Sequence, residues 1–151
     1  MTKLIGKIIA VKNGELPMPP IAKLLNIRLT EVANGKVTMQ MPVDGRYANP
    51  VGTLHGGVIC DLADAVMGTA FATTCEEGDS YTTVELKCNF LRPVWESILT
   101  ANAWVVYRGR TMGLVECEVV DDRKRLIAKL SSTLTVLHGN AVKGRELSLK
   151  R

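Results

Sequence analysis

The densest group of residues able to do chemistry is Asn49-Pro50-Val51-Gly52-Thr53-Leu54-His55-Gly56-Gly57, which leads straight into an apolar stretch. Two consecutive glycines at a helix start allow another backbone or a ligand to approach closely. The first-turn amides have no partner within the helix, and the helix dipole makes that end positive. A carbonyl oxygen held there would be polarised, and an oxyanion growing on it would be stabilised, by about 3–4 kcal/mol per donor. Gly56 and Gly57 are therefore candidate backbone donors, with Asn49 and His55 beside them. The plainer reading of the same residues is a glycine-containing entry to a buried helix.

Asp64 shifts that balance. It lies about two helical turns further on, inside GGVICDLADAVMGTAFATT, a run with no Lys or Arg from Gly56 to Thr74. A carboxylate within an apolar helix is costly unless it is paired or hydrogen-bonded, and costly polar groups tend to mark sites. Asp61, three residues earlier, could face the same pocket or act as a structural acid near the helix N-terminus. The structural role is the expected one.

The elements that must position these residues follow from periodicity. Val58, Ile59, Leu62, Ala63, Val66, Met67, Ala70 and Phe71 spread around most of a helical circumference, which predicts a buried helix over Gly56–Thr74. Before it, Ile27–Val43 reads as two strands joined at Asn34-Gly35, a preferred hairpin pair. After Gly78 the period becomes two. Thr82, Val84, Leu86, Cys88 and Phe90 fall on one face, and Thr83, Glu85, Lys87 and Asn89 on the other. Strands are predicted at Ser97–Tyr107, Met112–Val120 and Leu126–Leu137, completing a four-strand meander. Thr2–Asn13 predicts a short amphipathic helix, and Ile21–Leu25 one or two helical turns after Pro17, Pro19 and Pro20. The fold class is α+β, one long antiparallel sheet wrapped around a central helix. The expected divisions are a helical extension over 1–26, the domain over 27–138 and a basic tail over 139–151.

The run NPVGTLHGGVICDLADA, the strand VELKCNFLRPV and the turn YRGRT together resemble the hotdog-fold thioesterases of the phenylacetic-acid-degradation type, within the 4-hydroxybenzoyl-CoA thioesterase superfamily. The resemblance extends from about Ile27 to Leu137. It implies a hotdog fold and hydrolysis of an acyl-CoA thioester bearing an aryl-acetyl, aroyl or short-to-medium acyl group. Position by position, it implies that the Gly56 N–H polarises the thioester carbonyl and that Asn49 orients the water or the thioester. Asp64 would be the catalytic carboxylate, as general base or nucleophile. Thr83 would help to orient the water, and His55 would buttress the loop. It also implies a site between two subunits, and hence a homo-oligomer, either a dimer or a homotetramer built as a dimer of dimers. Asp61 departs from the family pattern, which has a small or apolar residue there. On that departure rests the alternative reading, a non-hydrolytic acyl-CoA-binding hotdog protein. Hydratase chemistry is disfavoured, because those sites place a histidine in a different motif.

Other candidates are weaker. Lys87, Arg108 and Arg110 could meet the phosphates of CoA, with Lys143 and Arg145 in support, or could be solvated charges. His138 is expected to be solvated surface, while Trp95, Trp104 and Phe71 are expected in the core or an interface. No P-loop, dinucleotide fingerprint, nucleophile elbow or metal motif is present, so no cofactor or metal is expected. The 151 residues carry a net charge of +4, most of it in the tail, where Lys143, Arg145, Lys150 and Arg151 stand against Glu146. A nearly neutral body argues against a nucleic-acid partner. Cys60, Cys75, Cys88 and Cys117 show no metal-ligand or redox spacing, and no segment reads as a signal peptide or membrane span. A cytoplasmic, thiol-reduced protein is the expectation.

Overall fold

The computed structural model describes residues 4–145. Two short helices, α1 (Ile5–Lys12) and α2 (Pro20–Leu24), precede a hairpin of β1 (Arg28–Ala33) and β2 (Lys36–Val43). The long helix α3 (Gly56–Ala72) follows, then β3 (Ser80–Phe90), β4 (Ser97–Arg108), β5 (Met112–Val120) and β6 (Leu126–Leu137). The strands form one antiparallel sheet in the order β1-β2-β4-β5-β6-β3, with α3 packed across its concave face.

The meander is thus corrected. Only β4, β5 and β6 run as consecutive neighbours; β4 returns to pair with β2, and β3 is displaced to the far edge beside β6. Period-two patterning fixes which face of a strand is buried but says nothing about its neighbour. Pairing β4 with β2 puts the small residues Ala101, Ala103 and Gly113 in the sheet centre, where α3 presses closest. At Gly113 a Cβ would collide with the Phe71 ring and stand 2.8 Å from the Tyr107 carbonyl oxygen, so the helix sits against bare backbone there.

The far end of α3 is tied to the hairpin. Gly35, at φ 72°, donates its N–H to Thr73 Oγ1 at 2.7 Å, and the same hydroxyl donates to the Ala70 carbonyl. Buried Ala22, Leu25 and Ile27 join the segment after α1 to the core. Pro20 stands at the first position of α2, where its missing N–H costs nothing.

Two expectations about burial change. Helix α3 is not buried on every side: Gly57, Asp61 and Asp64 lie on one open stripe, at successive intervals of four and three residues. The uniform alternation of β3 is also broken. A bulge between Thr83 and Glu85 shifts its register against β6, so Tyr81 and Thr83 face α3 at the strand's start. Beyond it, Leu86 and Cys88 take over the inward face. Bulges of this kind commonly re-aim side chains beside active sites.

Candidate functional site

The loop before α3 is closed by Asn49. Its Oδ1 accepts from the N–H groups of Val51 (3.0 Å) and Thr53 (3.2 Å), and its Nδ2 donates to Thr53 Oγ1 (2.8 Å). The loop is further pinned by the Leu54 N–H on the Val94 carbonyl and the His55 N–H on the Tyr47 carbonyl. His55 caps the helix: its Nδ1 accepts the Gly57 N–H at 2.9 Å. That bond occupies the Nδ1 lone pair, so His55 supports the loop instead of serving as a base there.

Both glycines have a steric reason. A Cβ on Gly57 would stand 3.0 Å from His55 Nδ1, and one on Gly56 would stand 2.8 Å from Cζ of Phe90. With the Gly57 amide used by His55, the Gly56 N–H is left without an acceptor among the described residues, at the positive end of a 17-residue helix. This is a preformed donor for a carbonyl oxygen.

Two turns along, Thr83 Oγ1 donates to Asp64 Oδ1 at 2.9 Å. Asp64 is exposed on the open helix stripe, which is how a carboxylate is accommodated on this helix without a cationic partner. The bulge in β3 is what brings Thr83 to it. A pocket of about 270 Å³ opens beside the pair, floored by α3 and walled by α1 and the segment leading to α2. Tyr81 also lines it, and its hydroxyl pKa is pushed up to about 12 by burial, with Cys75 and Asp64 adding to the effect. It is a neutral phenol at neutral pH.

Asp61 shares the open stripe but does not line this pocket. Lys87 and Arg110 are exposed, on β3 and in the β4–β5 turn. Arg108 is partly buried and bonded within the chain. Its guanidinium donates to Thr74 Oγ1 and to the Gly109 carbonyl, 5.0 Å from the Phe71 ring centroid, at the C-terminal end of α3. Within one chain that guanidinium is engaged in packing and far from Gly56.

His138, expected to be free in solvent, is exposed but paired with Asp79 at 2.7 Å. Phe71 is fully buried, and Trp104 lies under Lys129 Nζ, 4.4 Å from its centroid; Trp95 stands 60% exposed, outside the core. Lys150 and Arg151 of the tail lie outside the described residues. The four cysteines are free thiols. Cys88 is pushed up to about 12 by burial and by neighbouring Cys60, so it offers no thiolate nucleophile beside the site at neutral pH. Sequence reading missed the Asn49–Thr53 closure and Tyr81. The Asn-x-x-x-Thr spacing was a signal for the first; nothing local signalled the second, because the bulge determines where Tyr81 points.

Residues 51–128 match the thioesterase superfamily. The chain belongs to this family. A thioesterase of Haemophilus influenzae has the same fold at a TM-score of 0.74, with 29% identity over 78% of this chain and 82% of that one. The Escherichia coli PaaI protein from the phenylacetic acid degradation operon superposes at a TM-score of 0.80, with 24% identity, covering 91% of this chain and 98% of that one. A 1,4-dihydroxy-2-naphthoyl-CoA hydrolase of Listeria monocytogenes is 25% identical over 77% of this chain and 94% of its own length. The architecture is the hotdog fold, and as a superfamily member the protein is a thioester hydrolase.

One dimension of the candidate site stands out within the single chain. Gly56 and Asp64 are eight residues apart on one helix, about 12 Å along its axis. One thioester carbon cannot have its oxygen on the Gly56 amide and receive a water held by Asp64 of the same chain.

Proposed function

We propose that this protein hydrolyses acyl-CoA thioesters to the free acid and CoA, at a site built from two copies of the chain. The observation that carries the reading is the separation of a free oxyanion donor, Gly56 N–H, from a hydrogen-bonded carboxylate, Asp64. Strand β3 supplies a way to bring them together. It is an 11-residue edge strand whose start lies beside Asp64 through Thr83 and whose end lies beside Gly56 through Phe90. If two such edges pair antiparallel about a midpoint between Leu86 and Lys87, Thr83 of one copy comes opposite Phe90 of the other. The Asp64 of each copy then faces the Gly56 amide of its mate.

In that arrangement the Gly56 N–H polarises the thioester carbonyl, and Gly57, held by His55, keeps the turn in shape. Thr83 occupies one carboxylate oxygen of Asp64, leaving the other to accept the proton of the attacking water. The CoA thiolate is a good leaving group, so no strong acid is required. Asn49 acts by closing the loop that presents Gly56, and Lys87 and Arg110 are the exposed cations available to the CoA phosphates. The test is thiol release from a panel of CoA thioesters by the wild type and by Asp64→Asn. The wild type should turn over, and the variant should stay folded and lose about 10²–10⁴ in kcat. Full activity in the variant would overturn the assignment.

A further inference from the structure

Gly56, Asp64 and Thr83 fall inside the stretch that matches the superfamily, residues 51–128, but the N-terminal wall of the pocket beside Asp64 does not. That wall is made by Ile8 and Val11 of α1 and by Leu16 and Met18 of the segment before α2. All four are apolar and only partly buried, each lines the pocket, and Met18 also packs against the core. The wall is fixed in place: the Leu4 N–H donates to the Cys75 carbonyl, and the Glu15 and Leu16 N–H groups both donate to the Ala10 carbonyl. Buried Ala22 then anchors the segment on its far side. The pocket is therefore a partly open apolar space bounded on one side by the N-terminal segment, with Asp64 and Thr83 among its few polar lining groups.

We infer that this pocket receives the acyl group, and that Ile8, Val11, Leu16 and Met18 limit its length to about ten carbon atoms. The estimate comes from volume: about 150 Å³ is enough to hold a benzene ring, and this pocket measures about 270 Å³. A medium straight chain, or an aryl ring with a few methylenes, fills it; the further carbons of a long fatty acyl chain extend beyond it. The inference rests on the thioesterase reading, because it places the carbonyl at Asp64 and the remainder of the acyl group behind it. Burial of each methylene in such a pocket favours the bound and transition states by about fourfold per carbon.

The test measures kcat/KM for straight-chain acyl-CoA thioesters from two to sixteen carbons, with the wild type, Met18→Ala and Met18→Trp. In the wild type kcat/KM should rise by about fourfold per carbon until roughly ten carbons and then level or fall. Met18→Ala should move that limit to longer chains and Met18→Trp to shorter ones. A flat profile, a rise that continues to sixteen carbons, or a limit that neither variant moves would overturn the pocket assignment while leaving the thioesterase reading intact. If no thioester were turned over, that reading would fail instead. Calorimetric binding of octanoyl-CoA would then decide the pocket alone: weakening of about tenfold or more in Met18→Trp supports it, and equal affinity overturns it.

Discussion

Asp64 and Thr83 form a small unit in which one hydroxyl fixes one carboxylate oxygen of an exposed side chain. A hydrogen bond to a charged acceptor contributes about 1.5–3 kcal/mol, so a positioning role for Thr83 has a definite size. Thr83→Val, which keeps the shape and removes the donor, should lower kcat by about tenfold to a hundredfold with little change in KM or stability. Unchanged kcat in steady-state assays would show that Asp64 is oriented by something else. Asp64 was legible in the sequence because a carboxylate in an apolar helix is conspicuous, and the tandem glycines at the helix start marked the other half of the candidate site. Their reasons were not legible. Gly56 makes room for Phe90, 34 residues away, and Gly57 for the ring of His55. Arg108 shows the converse: a cation suited to phosphate turned out to be engaged by Thr74 and Phe71.

Helix α3 and the sheet meet at a line of minimal side chains, and Gly113 is its tightest point. Gly113→Ala would force Phe71 or the backbone of β4 to move, at a cost of about 1–3 kcal/mol, typical of overpacking. Urea denaturation should show that loss; an unchanged midpoint would mean that the helix can lift from the sheet without penalty. At the β5–β6 turn, Asp121 accepts from the Arg123 and Arg125 N–H groups and from Arg125 Nε. Burial acts to raise its pKa, but the hydrogen bonds from the Arg125 backbone and side chain and from the Arg123 backbone outweigh it and hold the carboxyl below the ordinary value. A folded value below the unfolded one, near 3.9, means that this contribution is complete above about pH 4 and lost as pH falls through the lowered folded value. Wild type and Asp121→Asn should therefore differ in urea midpoint at neutral pH and converge in stronger acid. A constant difference down to the lowest pH would contradict the role given to the charge.

Strand positions were legible almost to the residue because alternation and turn residues are local signals. The order of strands and the bulge in β3 were not, since both depend on which strand finds which neighbour. Tyr81 and Thr83 face α3 only because one extra residue interrupts the ladder with β6. That irregularity converts an even alternation into a wall of the candidate site followed by a core face.

At the scale of the whole molecule, the hydrogen-bonded pairs on the outer face of the sheet contrast with the open edge. The convex face of the sheet carries hydrogen-bonded pairs such as Thr38–Asn102 and Gln40–Thr100, and Lys129 bridges Glu116 and Glu118. The β3 edge instead exposes Val84 and Phe90, at 59% and 56% of their surface, with an unpaired row of backbone groups between them. Natural edges left this way are usually covered, and a lysine is a common device against pairing. Val84→Lys should leave the single chain folded, halve the mass seen by light scattering and abolish thioester turnover together. A monomer that retained full activity would separate assembly from catalysis and contradict the shared site.

The most direct test of a site shared between chains is complementation between two inactive variants. One is Asp64→Asn. The other is Gly56→Pro combined with Phe90→Ala, which removes the amide donor at a position where proline suits a helix start and relieves the contact with the Phe90 ring. When equal amounts are unfolded and refolded together, half of the random dimers contain one of each, with one intact site apiece, so thiol release should return to about a quarter of the wild-type rate. Mixtures as inactive as the separate variants, with mixed dimers shown to be present, would contradict the account.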